Sequence, residues 1–413
     1  MVKALTGIKS IKDFSLKEKR VFLRLDLNVP MRDGKITDDT RIQAALPTIK
    51  YALEQGAHLV IASHLGRPKG PEDRETMSLE PVAQALNQQL GLEVILVDDP
   101  RSDAPKALLG GLKDKQVIML ENLRFDSDET KNGEGLAHEI SKYVDIYIND
   151  AFGASHRAHS SVVKLPSLVE QRGVGFLMEK ELSVLGQLLE PPAKPFVTIL
   201  GGAKVSDKIG VIENLIDRVD LFIIGGAMAY TFLAAKNIPV GSSLVERVRI
   251  RFAAQLMDRL EARKKSVLLP VDHIVVSGLT QIESLQTTKS EAIPEGFMGV
   301  DIGPKTVEEY RKVIGSAKTI FWNGPMGVFE TPEYSSGTFA IAKAVAESSA
   351  FTVVGGGDSA AAAQAAGYAD KMTHISTGGG ASLEFLQGDH LPGIEVLRPN
   401  RKTSEKEKGN PYL

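Results

Sequence analysis

The chain has 413 residues, of which 43% are hydrophobic and 24% charged, and its formal net charge is −3. This balance is ordinary for a globular protein, gives no sign of a nucleic-acid binder, and predicts two or three domains at about 150 residues each. The absence of cysteine excludes disulfides, thiolate catalysis and cysteine-ligated zinc. No signal-peptide pattern opens the sequence and no apolar run approaches 18 residues, so we expect a cytoplasmic protein without a membrane span.

Short apolar runs alternate along the chain with segments of helical spacing, such as residues 41–56 and 338–348. Alternation of this kind, with continuous apolar strands, is typical of parallel sheets that are covered by helices on both faces. The predicted fold class is therefore α/β, with doubly wound parallel sheets. The strands are expected at 59–63, 117–120, 146–149, 196–200, 221–224, 267–271, 319–322 and 351–354.

A domain boundary is predicted near residues 173–195. Leu182, Leu185 and Leu189 fall on one face of a helix there, and a proline cluster at 191–195 ends it. We place a first domain at 1–175, a joining helix and linker at 176–195, and a second domain of similar size at 196–390. Residues 391–413 remain as a C-terminal segment whose last part is polar and charged, which predicts a surface tail.

In the second half, four apolar strands run directly into glycines, at 198–202, 222–226, 352–357 and 374–380. Ligands of open α/β sheets bind beyond the carboxyl ends of the strands, and glycine lets backbone N–H groups approach a phosphate closely. Lys204 and Lys208 open the predicted helix after the first junction, where the helix dipole and their mutual repulsion disfavour cations. A bound polyanion would reverse both costs; the alternative is a solvated helix face with surface lysines.

In the first half, the strand ends carry arginine instead. Arg67 follows the strand at 59–63, Arg124 the strand at 117–120 and Arg157 the strand at 146–149, while Arg41 opens a helix. In VFLRLDLN (21–28), strand alternation would place Arg24, Asp26 and Asn28 on one face. Arginine suits bidentate recognition of phosphate or carboxylate, so this pattern favours a pocket for a small anion over unrelated surface arginines.

The sequence GGGDSA (355–360) matches the dinucleotide fingerprint G-x-G-x-x-[GA], which would indicate a dehydrogenase. Asp358, however, would repel a bare pyrophosphate, whereas Mg²⁺ binds carboxylates and phosphate oxygens together. The loop therefore favours a metal–nucleotide, with capping of the next helix by Asp358 as the alternative. His156 and His159 have a spacing that zinc can use, but no third ligand is evident.

Nine segments, in order and across essentially the whole chain, resemble the phosphoglycerate kinase family. They are RLDLNVP (24–30), TDDTRI (37–42), ASHLGRP (62–68), ENLRF (121–125), NDAFGASHRAHSS (149–161), GGAKVSDKI (201–209), FWNGPMGVFE (321–330), GGGDS (355–359) and STGGGASLE (376–384). The resemblance implies two Rossmann-like domains joined by a helix, with a cleft between them and a C-terminal segment that returns to the first domain. It also implies reversible phosphoryl transfer between 1,3-bisphosphoglycerate and ADP, giving 3-phosphoglycerate and ATP.

The resemblance assigns roles to residues in both domains. Phosphoglycerate would contact Asp26, Leu27, Asn28, Arg41, His64, Leu65, Gly66, Arg67, Arg124 and Arg157. ADP or ATP would contact Lys208, Gly299, Glu330, Gly356, Gly357, Asp358 and Ser359, with Asp358 also engaging Mg²⁺. Arg41, Lys204, Lys208 and Gly380 would surround the migrating phosphoryl group.

The same resemblance implies a monomer, domain closure that excludes water, and catalysis by positioning and charge without a general base, since the acceptor carboxylate is already ionised. Two other functional classes stay open on the residues alone. The first is an NAD-dependent oxidoreductase, which Asp358 and the two lysines disfavour, and the second is a two-domain binding protein without catalytic activity. Nothing in the sequence indicates a nucleic-acid or membrane partner.

Overall fold

The structure is a computed structural model, and it describes residues 3–113 and 116–399. The chain divides into two compact units, which are considered separately. The first unit is formed by the described residues up to Ser183 and from His390 onward, and the second unit by Val184–Asp389. Most of the predicted polar tail, from residue 400 onward, lies outside the described residues. Within 3–113 and 116–399, no helix combines the length and the apolar composition needed to cross a membrane.

Strands and helices alternate in the first unit. Its described strands are β1 (Arg20–Leu25), β2 (Met31–Arg32), β3 (Lys35–Ile36), β4 (His58–Ala62), β5 (Glu93–Val97), β6 (Gln116–Leu120), β7 (Ile146–Asp150) and β8 (Gln171–Val174). Its described helices up to the division are α1 (Thr40–Glu54), α2 (Glu80–Leu90), α3 (Ala104–Gly110), α4 (Ser127–Lys131), α5 (Glu134–Ser141), α6 (Leu165–Leu168) and α7 (Phe176–Leu189). The division between the units falls within α7.

Six strands of the first unit form one parallel sheet in the order β5-β6-β4-β1-β7-β8. The central strands are buried along nearly their whole length, which explains why they read as continuous apolar runs. The chain leaves β1 toward β4 on one side and later reaches β7 on the other. The carboxyl end of β1 is therefore a topological switch point, the place at which open α/β sheets bind ligands.

The second unit repeats this plan with different connections. Its described strands are β9 (Phe196–Leu200), β10 (Leu221–Ile224), β11 (Ser266–Leu268), β12 (His273–Val276), β13 (Gln286–Thr287), β14 (Met298–Ile302), β15 (Thr319–Asn323), β16 (Phe351–Val354) and β17 (His374–Ile375). Its described helices are α8 (Ile209–Leu215), α9 (Met228–Ala235), α10 (Ile250–Ala262), α11 (Pro304–Ser316), α12 (Ser336–Glu347), α13 (Gly357–Ala365) and α14 (Gly380–Gln387). The last described helix, α15 (Pro392–Glu395), belongs to the first unit.

The main sheet of the second unit is parallel, in the order β11-β10-β9-β15-β16-β17, so its switch point lies at the carboxyl end of β9. A small antiparallel sheet, β13-β12-β14, lies in the same unit. The α/β class predicted from the sequence, with two parallel sheets, is confirmed. The strand predicted at 267–271 is shorter than expected, because the chain leaves the parallel sheet after Leu268 and then enters β12.

The C-terminal residues of the described chain pack on the first unit. Gly393 N donates to Ser155 O at 2.9 Å, and Asn149 Nδ2 donates to Gly393 O at 3.2 Å. Arg398 Nη2 donates to Ala4 O at 3.0 Å. The segment that follows the second unit is therefore bonded to loops at the carboxyl end of β7 and to the N-terminal residues.

Candidate active site

In the first unit, the predicted polar residues lie in loops that follow the carboxyl ends of adjacent strands. Asp26 and Asn28 follow β1, His64 and Arg67 follow β4, and the loops after β6 and β7 carry Arg124 and Arg157. Because β6, β4, β1 and β7 are neighbours in a parallel sheet, these loops lie along the same edge. The alternation expected over 21–28 is wrong, since β1 ends at Leu25 and Asp26 and Asn28 lie in the loop that follows.

The loop after β4 is held in place by its neighbours on both sides. Asn122 Oδ1 accepts from Leu65 N at 3.1 Å, and Asn122 Nδ2 donates to Leu65 O at 2.7 Å. Asn28 Oδ1 accepts from Gly66 N at 2.8 Å, and Arg124 Nη1 donates to Gly66 O at 2.5 Å. The backbone groups of Leu65 and Gly66 are thus used to fix the loop that carries Arg67.

Three of the predicted arginines, Arg67, Arg124 and Arg157, line one cavity of about 790 Å³, which we call the arginine cavity. Its other cationic lining residues are Lys69, Arg74 and Lys131. The one acidic residue among those that line it, Asp126, is already paired with the guanidinium of Arg101 at 2.5 and 2.7 Å. The cavity therefore holds positive charge that its own carboxylate does not neutralise.

The side chain of Arg124 contributes to this excess of positive charge in the arginine cavity. Burial, with repulsion from Arg157 and Arg24, lowers the pKa of Arg124 to about 10, so the guanidinium remains protonated at neutral pH. Its Nε is buried and has no hydrogen-bond partner among the described residues. Buried donors in folded proteins nearly always have a partner, so an orphaned guanidinium N–H beside a cavity fits a site that receives an anion.

Arg41 is not part of the lining of the arginine cavity. It lies in the first turn of α1, where its Nη1 donates to Asp26 Oδ1 at 2.6 Å, and its side chain is 34% exposed. Asp26 thus orients Arg41 at the carboxyl end of β1. The structure brings Arg41 and Asp26 together, and places the other three arginines around the cavity.

A buried ionic layer lies beneath this edge of the sheet, and sequence reasoning did not assign it a role. Arg24 and Glu129 are both fully buried, with Nη2 and Oε1 3.7 Å apart, and Ser161 Oγ donates to Glu129 Oε1 at 2.7 Å. Arg24 Nε donates to Ser161 Oγ at 2.8 Å. A buried charge pair of this kind needs full hydrogen bonding to be tolerated, and the bonds to Ser161 provide part of it.

Burial and the neighbouring Arg24 together set the protonation of His64. Arg24 Nη2 lies 3.3 Å from His64 Nδ1, and because a guanidinium can only donate, Nδ1 must be the acceptor. Burial, reinforced by Arg24 and Arg124, lowers the pKa of His64 well below its usual value. His64 is therefore neutral with its proton on Nε2, which bonds to no other described residue and can donate to a ligand.

Among the described residues, the HRAH segment is joined by no third side chain suited to bind a metal ion. His156 Nε2 accepts from Arg157 Nε at 3.1 Å. Burial, with Arg124 and Arg24, lowers the pKa of His159 to about 3, so its 3.7 Å approach to Glu129 involves a neutral imidazole. In the described part of the chain, no group of three or more histidine, aspartate or glutamate side chains is arranged to hold a metal ion.

In the second unit, the glycines near the strand ends are there for different structural reasons. At the ends of β9 and β15, a Cβ on Gly201 would lie 2.1 Å from Pro325 O, and a Cβ on Gly324 would lie 2.2 Å from Gly201 O. Those glycines are required by backbone packing. Gly357 and Gly380, by contrast, would place a Cβ with no atom within 4 Å, and both are exposed. The fold does not require glycine at these two positions, which leaves room for a ligand as the reason.

The two lysines lie before a helix and not within it. The α-helix predicted to carry them begins at Ile209, and a 3₁₀ turn, Ser206–Lys208, precedes it. Lys204 is exposed, whereas Lys208 is partly buried, and this burial lowers its pKa against the opposing influence of Asp207 and Asp358. We call residues 203–208 the lysine loop.

Asp358 lies in the first turn of α13 and is exposed, without a hydrogen bond or ion pair to another described residue. The N-cap of α13 is Gly356, at φ +90°, and no side chain caps the helix, so the capping alternative for Asp358 is not observed. Ser359 is buried, and its Oγ accepts from Gly324 N at 2.5 Å, which ties α13 to the loop after β15.

Gly299 and Glu330 lie on other elements of the second unit. A Cβ on Gly299, in β14, would lie 2.0 Å from Tyr230 Oη, so packing excludes any larger residue. Gly299 N donates to Ser243 Oγ at 3.0 Å. Glu330 is exposed in the loop that follows β15.

Comparison with known proteins decides the family. The sequence model of the phosphoglycerate kinase family matches residues 11–389. The chain belongs to the phosphoglycerate kinase family. It is 59% identical over 398 residues to a phosphoglycerate kinase of Bdellovibrio bacteriovorus, which covers 96% of this chain and 99% of the relative. It is 53% identical over 392 residues to one from Anaeromyxobacter dehalogenans, which covers 94% of this chain and 99% of that protein.

Solved structures of phosphoglycerate kinases have the same fold. The structure from Coxiella burnetii matches with a TM-score of 0.86 at 41% identity, and the structure from Pyrococcus horikoshii OT3 with a TM-score of 0.81 at 36% identity. Each match covers 94% of this chain and 98% of the other. The family resemblance and the Rossmann-like fold predicted from the motifs are thus confirmed. Membership of a phosphotransferase family favours the metal–nucleotide interpretation of GGGDSA over the dehydrogenase interpretation.

Proposed function

We propose that the chain catalyses reversible phosphoryl transfer between 1,3-bisphosphoglycerate and ADP, giving 3-phosphoglycerate and ATP. Family membership supports this reaction. One observation of the structure carries it furthest: Arg67, Arg124 and Arg157, predicted as a group from three separate strand ends, line a single cavity with uncompensated positive charge. A three-carbon acid with one or two phosphates is the class of ligand that such a cavity fits.

The first unit supplies the phosphoglycerate site in this proposal. Arg124 Nε and the Nε2–H of His64 are donors without a described partner, and a phosphate or carboxylate oxygen would accept from them. Asp26 orients Arg41, and Asn28 holds the loop that carries Arg67. Leu27, Leu65 and Gly66 contribute through backbone positions: Leu27 N, for instance, donates to Ser63 Oγ at 2.8 Å.

The second unit supplies the nucleotide site. Lys208 and the backbone of Gly356, Gly357 and Ser359 bind the phosphates in this proposal, since the N-terminus of α13 is a favourable place for an anion. Glu330 accepts from the ribose hydroxyls, and Gly299 lies beside the nucleoside.

Asp358 fits a role with Mg²⁺. Its carboxylate is exposed, unpaired among the described residues and located in the first turn of α13, next to the backbone proposed to bind the phosphates. Mg²⁺ typically uses one or two carboxylates together with phosphate oxygens, so a single aspartate suffices as the protein ligand. The ion would neutralise phosphate charge when bound.

Transfer itself requires positioning and charge. The acceptor carboxylate of 3-phosphoglycerate is ionised at neutral pH, so no side chain has to remove a proton. Arg41, Lys204, Lys208 and the N-terminus of α14 at Gly380 stabilise the charge on the oxygens of the migrating group. Because these groups come from two units, we propose that the units close around the substrates and exclude water.

The direct test measures transfer with purified protein, 3-phosphoglycerate and Mg-ATP. Hydroxylamine traps the acyl phosphate as it forms, so that hydroxamate and ADP should accumulate in equal amounts. Omission of 3-phosphoglycerate is the control for simple ATP hydrolysis. Binding of both substrates without any hydroxamate would contradict the proposal and favour the binding-protein alternative. The cytoplasmic location and the monomeric state stay predictions.

A further inference from the structure

Glu246 contacts the lysine loop directly. Its carboxylate accepts two hydrogen bonds from Ser206, one from the backbone N at 3.0 Å and one from Oγ at 2.7 Å. Ser206 lies midway between Lys204 and Lys208. Each lysine is two residues from Ser206, so the contact with Glu246 anchors the backbone between the two lysines.

The lysine loop has few other anchors. Before it, Gly202 N donates to Pro325 O at 2.9 Å, and within it the side chain of Val205 is fully buried. Lys208 N donates to Val205 O at 2.9 Å, a bond internal to the loop. Among the described residues, Glu246 is the residue outside the lysine loop whose side chain bonds to the middle of the loop, at Ser206.

Glu246 is itself firmly placed. Its backbone N donates to Thr231 Oγ1 at 3.1 Å, and Thr231 is a buried residue of α9. Partial burial opposes ionisation, but the hydrogen bonds from Ser206 and Val205 outweigh it and hold the pKa of Glu246 below its usual value. The carboxylate is therefore charged at neutral pH, and its bonds to Ser206 are of the stronger, charge-assisted kind.

The same segment reaches the opposite end of the proposed nucleotide site. Ser243, three residues before Glu246, accepts from Gly299 N at 3.0 Å through its Oγ. Ser242 N donates to Phe297 O at 2.8 Å in the same region. Residues 242–246 thus contact both the loop assigned to the phosphates and the strand assigned to the nucleoside.

We propose that Glu246 is a positioning residue of the reaction, which sets Lys204 and Lys208 toward the transferred phosphoryl group through its two bonds to Ser206. This inference rests on the proposed function for the identity of that group. Glu246 acts on the lysine loop through Ser206, together with the backbone of Val205, and is not proposed to touch either substrate. In the same way, Ser243 positions Gly299 at the nucleoside end of the site, by accepting the hydrogen bond from Gly299 N.

The test separates positioning from general stability. Glu246→Gln keeps the size of the side chain but removes its charge; the bond to Ser206 Oγ must then reverse, with the amide nitrogen donating, and both bonds to Ser206 lose their charge-assisted strength. We expect kcat to fall about tenfold or more, because small displacements of charged groups are costly in phosphoryl transfer. The dissociation constant for ADP should rise, while that for adenosine, which has no phosphate, should stay at the wild-type value. Ser243→Ala should show the opposite pattern, with a weaker adenosine complex and a smaller change in kcat.

Two further variants serve as controls. Glu347→Gln removes one negative charge from a surface pair with Lys343 and should leave all three constants unchanged. Ser206→Ala removes one of the two bonds without changing charge. If Glu246 acts through Ser206, the effects of the two substitutions on kcat should be less than multiplicative in the double variant.

The readouts distinguish failure of this inference from failure of the proposed function. A wild-type protein without transfer activity would refute the function, while the ADP and adenosine measurements would still report on Glu246. Wild-type kcat and ADP affinity in Glu246→Gln would overturn the positioning role. An equal loss of ADP and adenosine affinity, with a lowered melting temperature, would also overturn it by showing a structural role. If Glu246→Gln does not fold, Ser206→Ala decides alone by the same criteria.

Discussion

Substitution of Gly380 by alanine should impair catalysis without destabilising the fold. Gly380 is the first residue of α14, is exposed, and would place a Cβ with no atom within 4 Å. Its φ lies outside the left-handed region, so alanine can adopt the same backbone. Replacing a helical glycine by alanine under such conditions gains roughly 0.5–1 kcal/mol of stability. The free energy of unfolding should therefore stay level or rise slightly.

Activity should change in the opposite direction. If the migrating phosphoryl group approaches the N–H of Gly380, a methyl group there keeps it at a distance and weakens the stabilisation of its charge. A tenfold loss of kcat corresponds to about 1.4 kcal/mol of transition-state stabilisation, less than removal of a typical oxyanion-hole donor. We expect at least that loss in the hydroxylamine-trapping assay, with urea unfolding measured on the same samples.

Substitutions at two other glycines serve as controls for Gly380→Ala. Gly315, in α11, also has no atom within 4 Å of its Cβ position, so Gly315→Ala should gain similar stability and retain full activity. Gly324→Ala should destabilise the protein, because that residue has φ +102° and its Cβ would lie 2.2 Å from Gly201 O. Wild-type kcat in Gly380→Ala would refute the reasoning that open glycines of this edge are kept for a ligand.

Four further outcomes are expected. Lys208→Ala should lower kcat by about 10²-fold or more, because a partly buried cation at the phosphate site is lost, and wild-type turnover would exclude that role. Arg41→Ala should lower kcat while the dissociation constant for ADP, measured by calorimetry, stays unchanged, since Arg41 belongs to the first unit; loss of ADP affinity with intact kcat would contradict this. Asp358→Asn should raise the Mg²⁺ concentration needed for half-maximal activity, and an unchanged Mg²⁺ dependence would count against a metal ligand. Burial raises the pKa of Asp150 to about 6, so the native state favours its protonated form. Wild type should therefore lose stability relative to Asp150→Asn as pH rises from about 4 to 6, by at most about 3 kcal/mol, and the difference should be constant above pH 7 in urea titrations.

Except for β1, which was expected as an alternating strand over 21–28, the strands at the centre of each sheet could be predicted from the sequence because burial on both faces makes them continuously apolar. The edge strands β5 and β8 were missed for the converse reason. β5 is only partly buried along most of its length, and β8, with the sequence QRGV, has little apolar character. The small sheet β13-β12-β14 was missed because its strands are short and pair antiparallel, whereas the main sheet of the same unit is parallel.

The arginines of the site could be predicted because parallel topology converts strand-end positions into spatial neighbours. No comparable rule identifies the residues that support them. Arg24 lies inside a buried strand, and its partner Glu129 is 105 positions away in a short helix, so only the fold shows that they meet. The bonds from Ser206 to Glu246, 40 residues apart, were beyond sequence reasoning for the same reason.

The lysine loop shows a subtler limit. The predicted cost of two lysines at a helix start assumed that Lys204 and Lys208 lie within the same α-helix. The structure removes this cost by beginning α8 at Ile209, so the two side chains do not repel each other as an i, i+4 pair. The inference of a phosphate ligand therefore has to rest on other features, namely the burial that lowers the pKa of Lys208 and the open glycines nearby.

Charge is arranged differently in the two units, and the difference matches the proposed ligands. In the proposed function, the first unit would hold a small anion with several guanidinium groups above a buried ionic layer, and the cost of burying the charges of that layer is met when the chain folds. In the same proposal, the second unit would use backbone N–H groups at helix starts, two lysines and one exposed aspartate. In the second unit, backbone groups and a metal ion could follow the charge as the nucleotide gains or loses the phosphoryl group, whereas the arginines of the first unit would hold the part of phosphoglycerate that does not change.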